Sequence, residues 1–243
     1  MIVLIITAVR VKSMDSHRIS GRILAENIAG LGMMRLVEQS MQAQAQKTSV
    51  TEIAVKERKH PQAALTFDDG PDIRYTPLLL DGLKERNVRA SFFLLGEKVE
   101  QYPELVERMQ KEGHLVGNHT YHHVQLNKLN ETKAREEILK TNNLIYETTG
   151  VYPLYLRPPF GAWKKNLELC VEMLPVFWTI DTLDWKVQNT EKIVRTVQEQ
   201  IEDGAIILMH DEYDTSVEAA LQVVDELKNQ GYELVTVDQL ILP

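Results

Sequence analysis

The sequence predicts an α/β fold over residues 61–243, in which parallel strands form a sheet with helices outside it. Two observations predict this class. Short apolar runs rich in strand-forming residues alternate with longer amphipathic stretches of helical period, several of which end at glycine or asparagine. Polar side chains recur directly after the apolar runs, at the edge where parallel α/β sheets carry their active sites. The pattern fits either an open, doubly wound sheet or a closed (β/α) barrel.

The elements follow one another in a regular order. Each predicted strand is a short apolar run, and helical patterns such as "YPELVERMQKEG" and "SVEAALQVVDELKNQG" lie between the runs. The predicted strands are Ala63–Phe67, Arg89–Leu95, His114–Asn118, Leu154–Arg157, Val176–Ile180, Ala205–Met209 and Glu233–Val237.

Residues 1–60 differ from the remainder, and we interpret them as an accessory segment that precedes the α/β domain. They contain nine Lys and Arg against five Asp and Glu, whereas the remainder contains 18 against 30. The apolar run "MIVLIITAV" before Arg10 is about half of the ~20 residues that span a bilayer, and it lacks the basic region and cleavage site of a secretory signal. It fits either a degenerate signal that anchors the chain to a membrane or a buried strand.

Composition and charge exclude several classes of protein. The chain of 243 residues has an ordinary apolar content of 44% and a net charge of −8. An acidic body is a poor match for nucleic acid, so we expect a ligand that is neutral, cationic or held through a metal. Cys170 is the only cysteine, which excludes an intrachain disulfide and a metal site of several thiolates. Nothing in the composition indicates an oligomeric state.

The segment "HTYHH" places His119 and His123 four residues apart. On a helical turn this spacing would put both imidazoles on one face, where two neutral rings can bind a divalent transition metal. A carboxylate from another strand end would complete a facial set of ligands and leave open positions for water and substrate.

Two adjacent carboxylates, Asp68 and Asp69, stand at the end of the first predicted strand, and Gly-Pro then breaks the chain. Adjacent side chains diverge at a strand terminus, so one carboxylate can bind a metal while the other faces the water on that metal. A metal lowers the pKa of its bound water from ~15.7 toward ~7–9, which lets a nearby carboxylate complete the deprotonation. A cation between the two carboxylates would also offset their repulsion.

The segment "RPPFG" combines Arg157 with a rigid turn. Such a turn can present a backbone N–H, that of Phe160, to a developing oxyanion, while Arg157 keeps the basic carboxylate ionised.

The segment "LMHD" ends an apolar strand with His210, whose position suits proton donation to a leaving amine. Asp184 in "DTLDW" would raise the pKa of that imidazole through proximity, and Trp185 offers a flat apolar wall.

Taken in order, "TFDDG", "HTYHH", "RPPFG", "DTLDW" and "LMH" resemble the five motifs of the polysaccharide deacetylase family, the NodB-homology domain of carbohydrate esterase family 4. The resemblance covers residues 61–243 and leaves 1–60 unexplained. It implies a distorted (β/α) barrel of seven or eight strands that binds one divalent metal and removes N-acetyl groups from amino-sugar polymers.

The resemblance also implies a role for each residue that matches a motif. Asp68 is the general base, and the metal ligands are Asp69, His119 and His123. Arg157 orients the base, Phe160 supplies the oxyanion N–H, and His210 is the general acid with Asp184 as its partner. Trp185 and Leu208 line the pocket for the acetyl methyl group. The expected metal is zinc, with cobalt, manganese or nickel able to replace it because mixed oxygen and nitrogen ligands are not selective.

The family often has tyrosine where this chain has Phe160. The expected contact is a backbone N–H, so the change should leave catalysis intact.

The implied substrate is a glycan polymer, with N-acetylglucosamine of peptidoglycan preferred over chitin-type oligomers, an exopolysaccharide or an O-acetyl ester. Loops around the cleft, which the motifs do not include, determine the choice. A catalytically silent glycan-binding module is the alternative from another class, and it would be expected to lack a ligand or the base. Because such polymers lie outside the cytoplasmic membrane, we expect an extracytoplasmic or cell-surface protein, anchored through the N-terminus if that segment inserts.

Overall fold

The structure is a computed structural model that describes residues 59–163 and 173–241. These residues belong to a compact unit, Arg58–Pro243. The predicted accessory segment, apart from its last two residues, lies outside the described residues, and so does Cys170. In the part of the chain that is described, no helix has the length and apolar character needed to cross a membrane.

Eight short strands, all paired in parallel, form one curled sheet in this part of the chain. Seven of them follow the order β5-β4-β3-β2-β1-β7-β6, and β8 pairs with β1. The strands are β1 Gln62–Asp68, β2 Ser91–Leu94, β3 Leu115–Asn118, β4 Tyr155–Leu156, β5 Leu174–Pro175, β6 Ile180–Asp181, β7 Ala205–His210 and β8 Glu233–Leu234.

Helices connect the strands and cover the outside of the sheet. They are α1 Tyr75–Glu85, α2 Gly96–Gln101, α3 Pro103–Lys111, α4 Glu131–Thr149, α5 Asp184–Val187, α6 Thr190–Gln200, α7 Asp214–Asn229 and α8 Val237–Ile241, with 3-10 turns at Leu126–Lys128 and Pro159–Gly161. The longest, α4, is capped at its start by Asn130, whose side chain accepts the Lys133 N–H at 2.9 Å. Gly150, with φ 73°, caps its end.

Strand β1 lies at the centre of the fold and is buried on both faces. Leu65 and Phe67 pack into the core beneath the outer helices, where the Phe67 ring stacks on Phe92 with centroids 5.2 Å apart. Ala64 belongs to a separate apolar cluster on the inner face. Because strand side chains alternate, Asp68 shares that inner face with Ala64. The alternation therefore brings a carboxylate to the concave side of the sheet.

One predicted strand, Val176–Ile180, is wrong. Two shorter strands replace it: β5 pairs with β4 at one end of the sheet, and β6 pairs with β7 at the other. Residues 176–179 cross between those ends, with Val176 N–H donating to Leu156 and Thr179 N–H donating to Ile206. No pairing joins β5 to β6 within the described residues, so the sheet forms a half-barrel. The expected distorted (β/α) barrel is confirmed in this open form.

Candidate active site

The carboxyl ends of the strands surround a pocket of about 490 Å³, and the ten residues singled out from the sequence meet there. Parallel pairing accounts for much of this convergence, since the register sets Asp68 beside His210. Arg157 and Asp184 lie behind the pocket wall, each with 0% exposure. The other eight line it: Asp68, Asp69, His119, His123, Phe160, Trp185, Leu208 and His210.

The adjacent carboxylates at the end of β1 point to different partners. Asp68 is the last strand residue and receives a hydrogen bond from Arg157 Nη1 to its Oδ1 at 2.8 Å. Asp69 then adopts a left-handed backbone with φ 68°, which turns its side chain away from that of Asp68. The left-handed residue thus directs the Asp69 carboxylate to the histidines, while the Asp68 carboxylate stays with Arg157.

Asp69, His119 and His123 form a set whose potential ligand atoms all lie within 4.8 Å of one another. Asp69 Oδ1 lies 3.3 Å from His119 Nε2 and 3.4 Å from His123 Nε2. Donors bound to one zinc at ~2.0–2.2 Å are roughly 3–3.5 Å apart, so this spacing fits a single ion. Asp69 Oδ1 is also buried without a hydrogen-bond partner among the described residues. The site therefore fits one divalent cation.

The hydrogen bond of His119 and the pKa of His123 also suit metal binding. His119 Nδ1 donates to the carbonyl of Arg157 at 2.6 Å, which leaves the Nε2 lone pair directed toward Asp69. Burial lowers the pKa of His123, which favours the neutral ring that a metal requires. Burial alone would raise the pKa of Asp69, but whenever the neighbouring imidazoles are protonated their hydrogen bonding and charge outweigh burial and lower that pKa, which favours an ionised carboxylate.

The turn that carries the two histidines is not helical, contrary to the geometry assumed from the four-residue spacing. Residues 119–123 form an irregular bend in which Thr120 and His123 have positive φ of 68° and 54°. The rings still face one another, with centroids 5.1 Å apart. His122 points outward, with its side chain 57% exposed.

Arg157 is fully buried and lies between the aromatic faces of Phe93 and Trp178, at 4.3 and 5.7 Å from the ring centroids. Its Nη1 donates to Thr66 Oγ1 as well as to Asp68. A buried guanidinium needs such partners because desolvation of a charge is costly. Its position behind Asp68 holds that carboxylate in one orientation.

Phe160 adopts a left-handed backbone with φ 60° inside the Pro159–Gly161 turn. The hydrogen bonds of that turn are donated by Gly161 and Ala162, so the Phe160 N–H takes no part in them. The exposed ring of Phe160 packs edge-on against His123, with centroids 4.6 Å apart. The left-handed residue thus sits at the pocket rim next to a candidate metal ligand.

His210 and Asp184 make two hydrogen bonds with each other. The carboxylate of Asp184 accepts the His210 backbone N–H and faces His210 Nδ1, both at 2.8 Å. Burial opposes a charged ring, but the charge of Asp184 outweighs burial and raises the pKa of His210 to about 9. Because Nδ1–H is held by Asp184, Nε2 is the atom that faces the pocket, 3.8 Å from Asp69 Oδ2.

The pocket has further walls that the motifs did not identify. Trp185 and Leu208 form the expected apolar sides. Five other lining residues were not assigned a role from the sequence, although Asp181 and Leu183 lie inside the motif "DTLDW" and Trp178, Glu212 and Tyr213 lie within three residues of a quoted segment. Glu212 pairs with Lys98, a contact across more than a hundred residues that local patterns do not reveal.

Asp211, which does not line the pocket, was also missed; it supports the turn after Asp69 from behind. It is fully buried, and Thr76 Oγ1 donates to its carboxylate. A Cβ at Gly70 would lie 2.5 Å from Asp211 Oδ1, so only glycine fits this close approach. The segment "LMHD" contained this residue, but its role depends on a contact with a different loop.

Comparisons with known proteins identify the family to which this chain belongs. A family model described as polysaccharide deacetylase matches residues 55–176. The chain is 42% identical over 185 residues to the peptidoglycan-N-acetylglucosamine deacetylase PgdA of Listeria monocytogenes, an alignment that covers 76% of this chain and 40% of that protein. The chain thus spans about two fifths of the length of that relative. A peptidoglycan-N-acetylglucosamine deacetylase of Bacillus cereus is 37% identical over 186 residues, which cover 73% of this chain and 87% of that protein.

Among solved structures, peptidoglycan deacetylase PdaC of Bacillus subtilis matches with a TM-score of 0.73 and 42% identity, over 75% of this chain and 90% of that one. PdaC is named a peptidoglycan-N-acetylmuramic acid deacetylase. The fold and the family model together define the class, and this chain belongs to the polysaccharide deacetylase family.

Proposed function

We propose that this protein is a metal-dependent deacetylase that hydrolyses N-acetyl groups on the amino sugars of peptidoglycan. The observation that carries the proposal is the meeting, in one pocket, of a candidate metal set with a carboxylate on one side and a protonated imidazole on the other. Amide hydrolysis needs a proton acceptor and a proton donor at the same reacting bond, and the pocket offers both.

We assign the metal ligands to Asp69, His119 and His123. A bound divalent ion would polarise both the attacking water and the acetyl carbonyl. Zinc is the proposed ion, and cobalt, manganese or nickel should replace it because one carboxylate and two imidazoles do not discriminate strongly among them.

We assign the general base to Asp68. Its carboxylate takes a proton from water as the water oxygen bonds to the acetyl carbon, and the hydrogen bond from Arg157 holds the carboxylate in orientation. The Phe160 N–H makes no hydrogen bond within its own turn, so it is available to donate to the acetyl oxygen that becomes negative.

We assign the general acid to His210. Its Nε2 delivers a proton to the amide nitrogen as the carbon–nitrogen bond breaks, which releases acetate and a free amine. Asp184 holds the other ring nitrogen and stabilises the protonated ring. Trp185 and Leu208 provide the apolar walls that suit an acetyl methyl group.

N-acetylglucosamine of peptidoglycan is the proposed substrate, because relatives over most of the described domain are named for it. N-acetylmuramic acid, chitin-type oligomers and exopolysaccharide are the competing substrates, the first supported by the likeness to PdaC. Since peptidoglycan lies outside the cytoplasmic membrane, we propose an extracytoplasmic location. We propose that residues 61–243 form the catalytic domain and that residues 1–60 are an accessory segment before it. Membrane anchoring through that segment stays a separate proposal.

The test is acetate release, with matching mass loss in the glycan, from purified peptidoglycan and a series of chitooligosaccharides. We expect release from peptidoglycan, with the product mapped to N-acetylglucosamine. The Asp68→Asn variant serves as the inactive control. A lack of acetate release from every glycan would favour the silent glycan-binding module, although the complete set of ligands, base and acid speaks against that alternative.

A further inference from the structure

A carboxylate on helix α4 holds the backbone of the two-histidine turn, which we define as residues 119–123. Glu137 Oε2 accepts the backbone N–H groups of Tyr121 at 3.0 Å and His122 at 2.9 Å. Its Oε1 faces His122 Nδ1 at 2.8 Å. The Glu137 side chain is only 16% exposed, whereas the His122 side chain that it contacts is 57% exposed. Glu137 does not line the pocket.

The two-histidine turn depends on partners outside itself. Because it belongs to neither helix nor strand, most of its N–H groups and carbonyls lack the regular partners of those elements; the His119 N–H, which donates to the Leu94 carbonyl at 2.9 Å, is an exception. The carbonyls of Thr120 and Tyr121 accept N–H groups from Gly96 and Glu97, at 2.9 and 3.2 Å. The start of α2 therefore holds two carbonyls of the turn, and Glu137 holds two of its N–H groups.

Helix α4 has its own anchors, independent of Glu137. Ala134, Ile138 and Ile145 of this helix are buried in the core. The Asn118 side chain donates to Asn142 at 2.6 Å, which ties the helix to the end of β3. Loss of the Glu137 carboxylate should therefore leave the helix in place and free only the turn.

We propose that Glu137 is a positioning residue for the metal site. By accepting both N–H groups, it keeps the strained turn in the one shape that directs the Nε2 atoms of His119 and His123 toward Asp69. A turn without this acceptor would have to order itself when the metal binds, which weakens binding. Loss of partners that orient metal ligands typically lowers metal affinity about 10–100-fold. The inference rests on the metal site proposed above.

The experiment compares Glu137→Ala with Glu136→Ala, which removes the same side chain from the next, exposed position of the helix. Metal-free proteins are titrated with Co²⁺, and the dissociation constant and visible absorption spectrum are measured well below the melting temperature. We expect Glu137→Ala to bind Co²⁺ about 10–100-fold more weakly than wild type, and Glu136→Ala to match wild type. In metal-free Glu137→Ala, the amide hydrogens of Tyr121 and His122 should also exchange faster.

Glu137→Gln keeps an oxygen that can accept both N–H groups, so it should restore most of the affinity. If Glu137→Ala fails to fold, Glu137→Leu, which preserves the side-chain volume, replaces it. Failure of both to fold would show a role in overall stability and overturn the inference, as would an unchanged Co²⁺ affinity or a Glu137→Gln variant as weak as Glu137→Ala. Wild-type protein that does not bind Co²⁺ would instead overturn the metal site itself.

Discussion

At the end of β1 a buried carboxylate, Asp68, is held by the buried cation of Arg157, whereas at the end of β7 the imidazole of His210 is held by the buried carboxylate of Asp184. The two ion pairs face the same pocket with opposite polarity. In the first pair the group that reaches the pocket is an anion, and in the second it is a cation.

The two pairs differ in whether the charge of their cation depends on pH. The guanidinium of Arg157 does not lose its proton in proteins, so Asp68 faces a constant cation. His210 titrates, with a pKa raised to about 9, so its charge depends on pH. The acceptor therefore faces a partner of constant charge, whereas the donor itself changes charge with pH.

Removal of the metal should abolish acetate release while both ion pairs stay intact. The pairs only accept and donate protons, and without a Lewis acid the amide carbonyl is not polarised. The measurement is acetate release after exhaustive chelation, followed by addition of Zn²⁺ or Co²⁺. Activity that survives chelation in protein with no bound metal would contradict the proposal.

Asp68→Asn should lower kcat by roughly 10²-fold or more, because it removes the proton acceptor and preserves the shape. Metal content, measured by elemental analysis, should be unchanged. Asp69→Asn should instead weaken metal binding, and an exchange of the two phenotypes would show that their roles are reversed.

The same substitution offers a stability test with a surface control. Removing one partner of a buried pair costs about 3–5 kcal/mol, so Asp68→Asn should lower the free energy of unfolding by an amount approaching this. Asp225→Asn breaks a half-exposed pair with Arg86 and should cost less than about 1 kcal/mol. Equal losses in denaturant unfolding would argue against a special role for the buried pair.

His210→Ala should slow hydrolysis of an N-acetyl substrate by about 10²-fold, because an amine is a poor leaving group without a proton. An activated acetate ester, whose leaving group needs little protonation, should lose much less activity. The measurement is kcat/KM for both substrates with wild type and variant. Equal losses would mean that His210 stabilises structure or charge and is not the acid.

Asp184→Asn should move the alkaline limb of the pH profile. His210 has a folded pKa of about 9, above its ordinary value of 6.5, so the ring is protonated below about 9 and loses its proton above it. Without the carboxylate, burial lowers the pKa, and kcat/KM should begin to fall at a lower pH. The linked stability is complete below pH 6.5 in wild type and is lost as pH rises through about 9. An alkaline limb that does not move would contradict this pairing.

Much of the site was predictable because parallel βα repeats place strand ends at one edge. The segments "TFDDG" and "LMH" end the neighbouring strands β1 and β7, and their pairing sets Asp68 beside His210. The failed prediction at Val176–Ile180 has a different origin. An apolar run shows that residues are buried, but not whether they continue one strand or cross between the two ends of an open sheet.

The residue types in the motifs specify the donors and acceptors of the pocket, and strand periodicity specifies the edge of the sheet at which they gather. The orientation of these groups depends on tertiary contacts. The left-handed backbone at Asp69, the irregular turn between His119 and His123, and the support from Glu137 each depend on contacts between separate elements. Such contacts leave no local pattern, because a hydrogen bond between distant residues depends on how the sheet curls and how the helices pack on it.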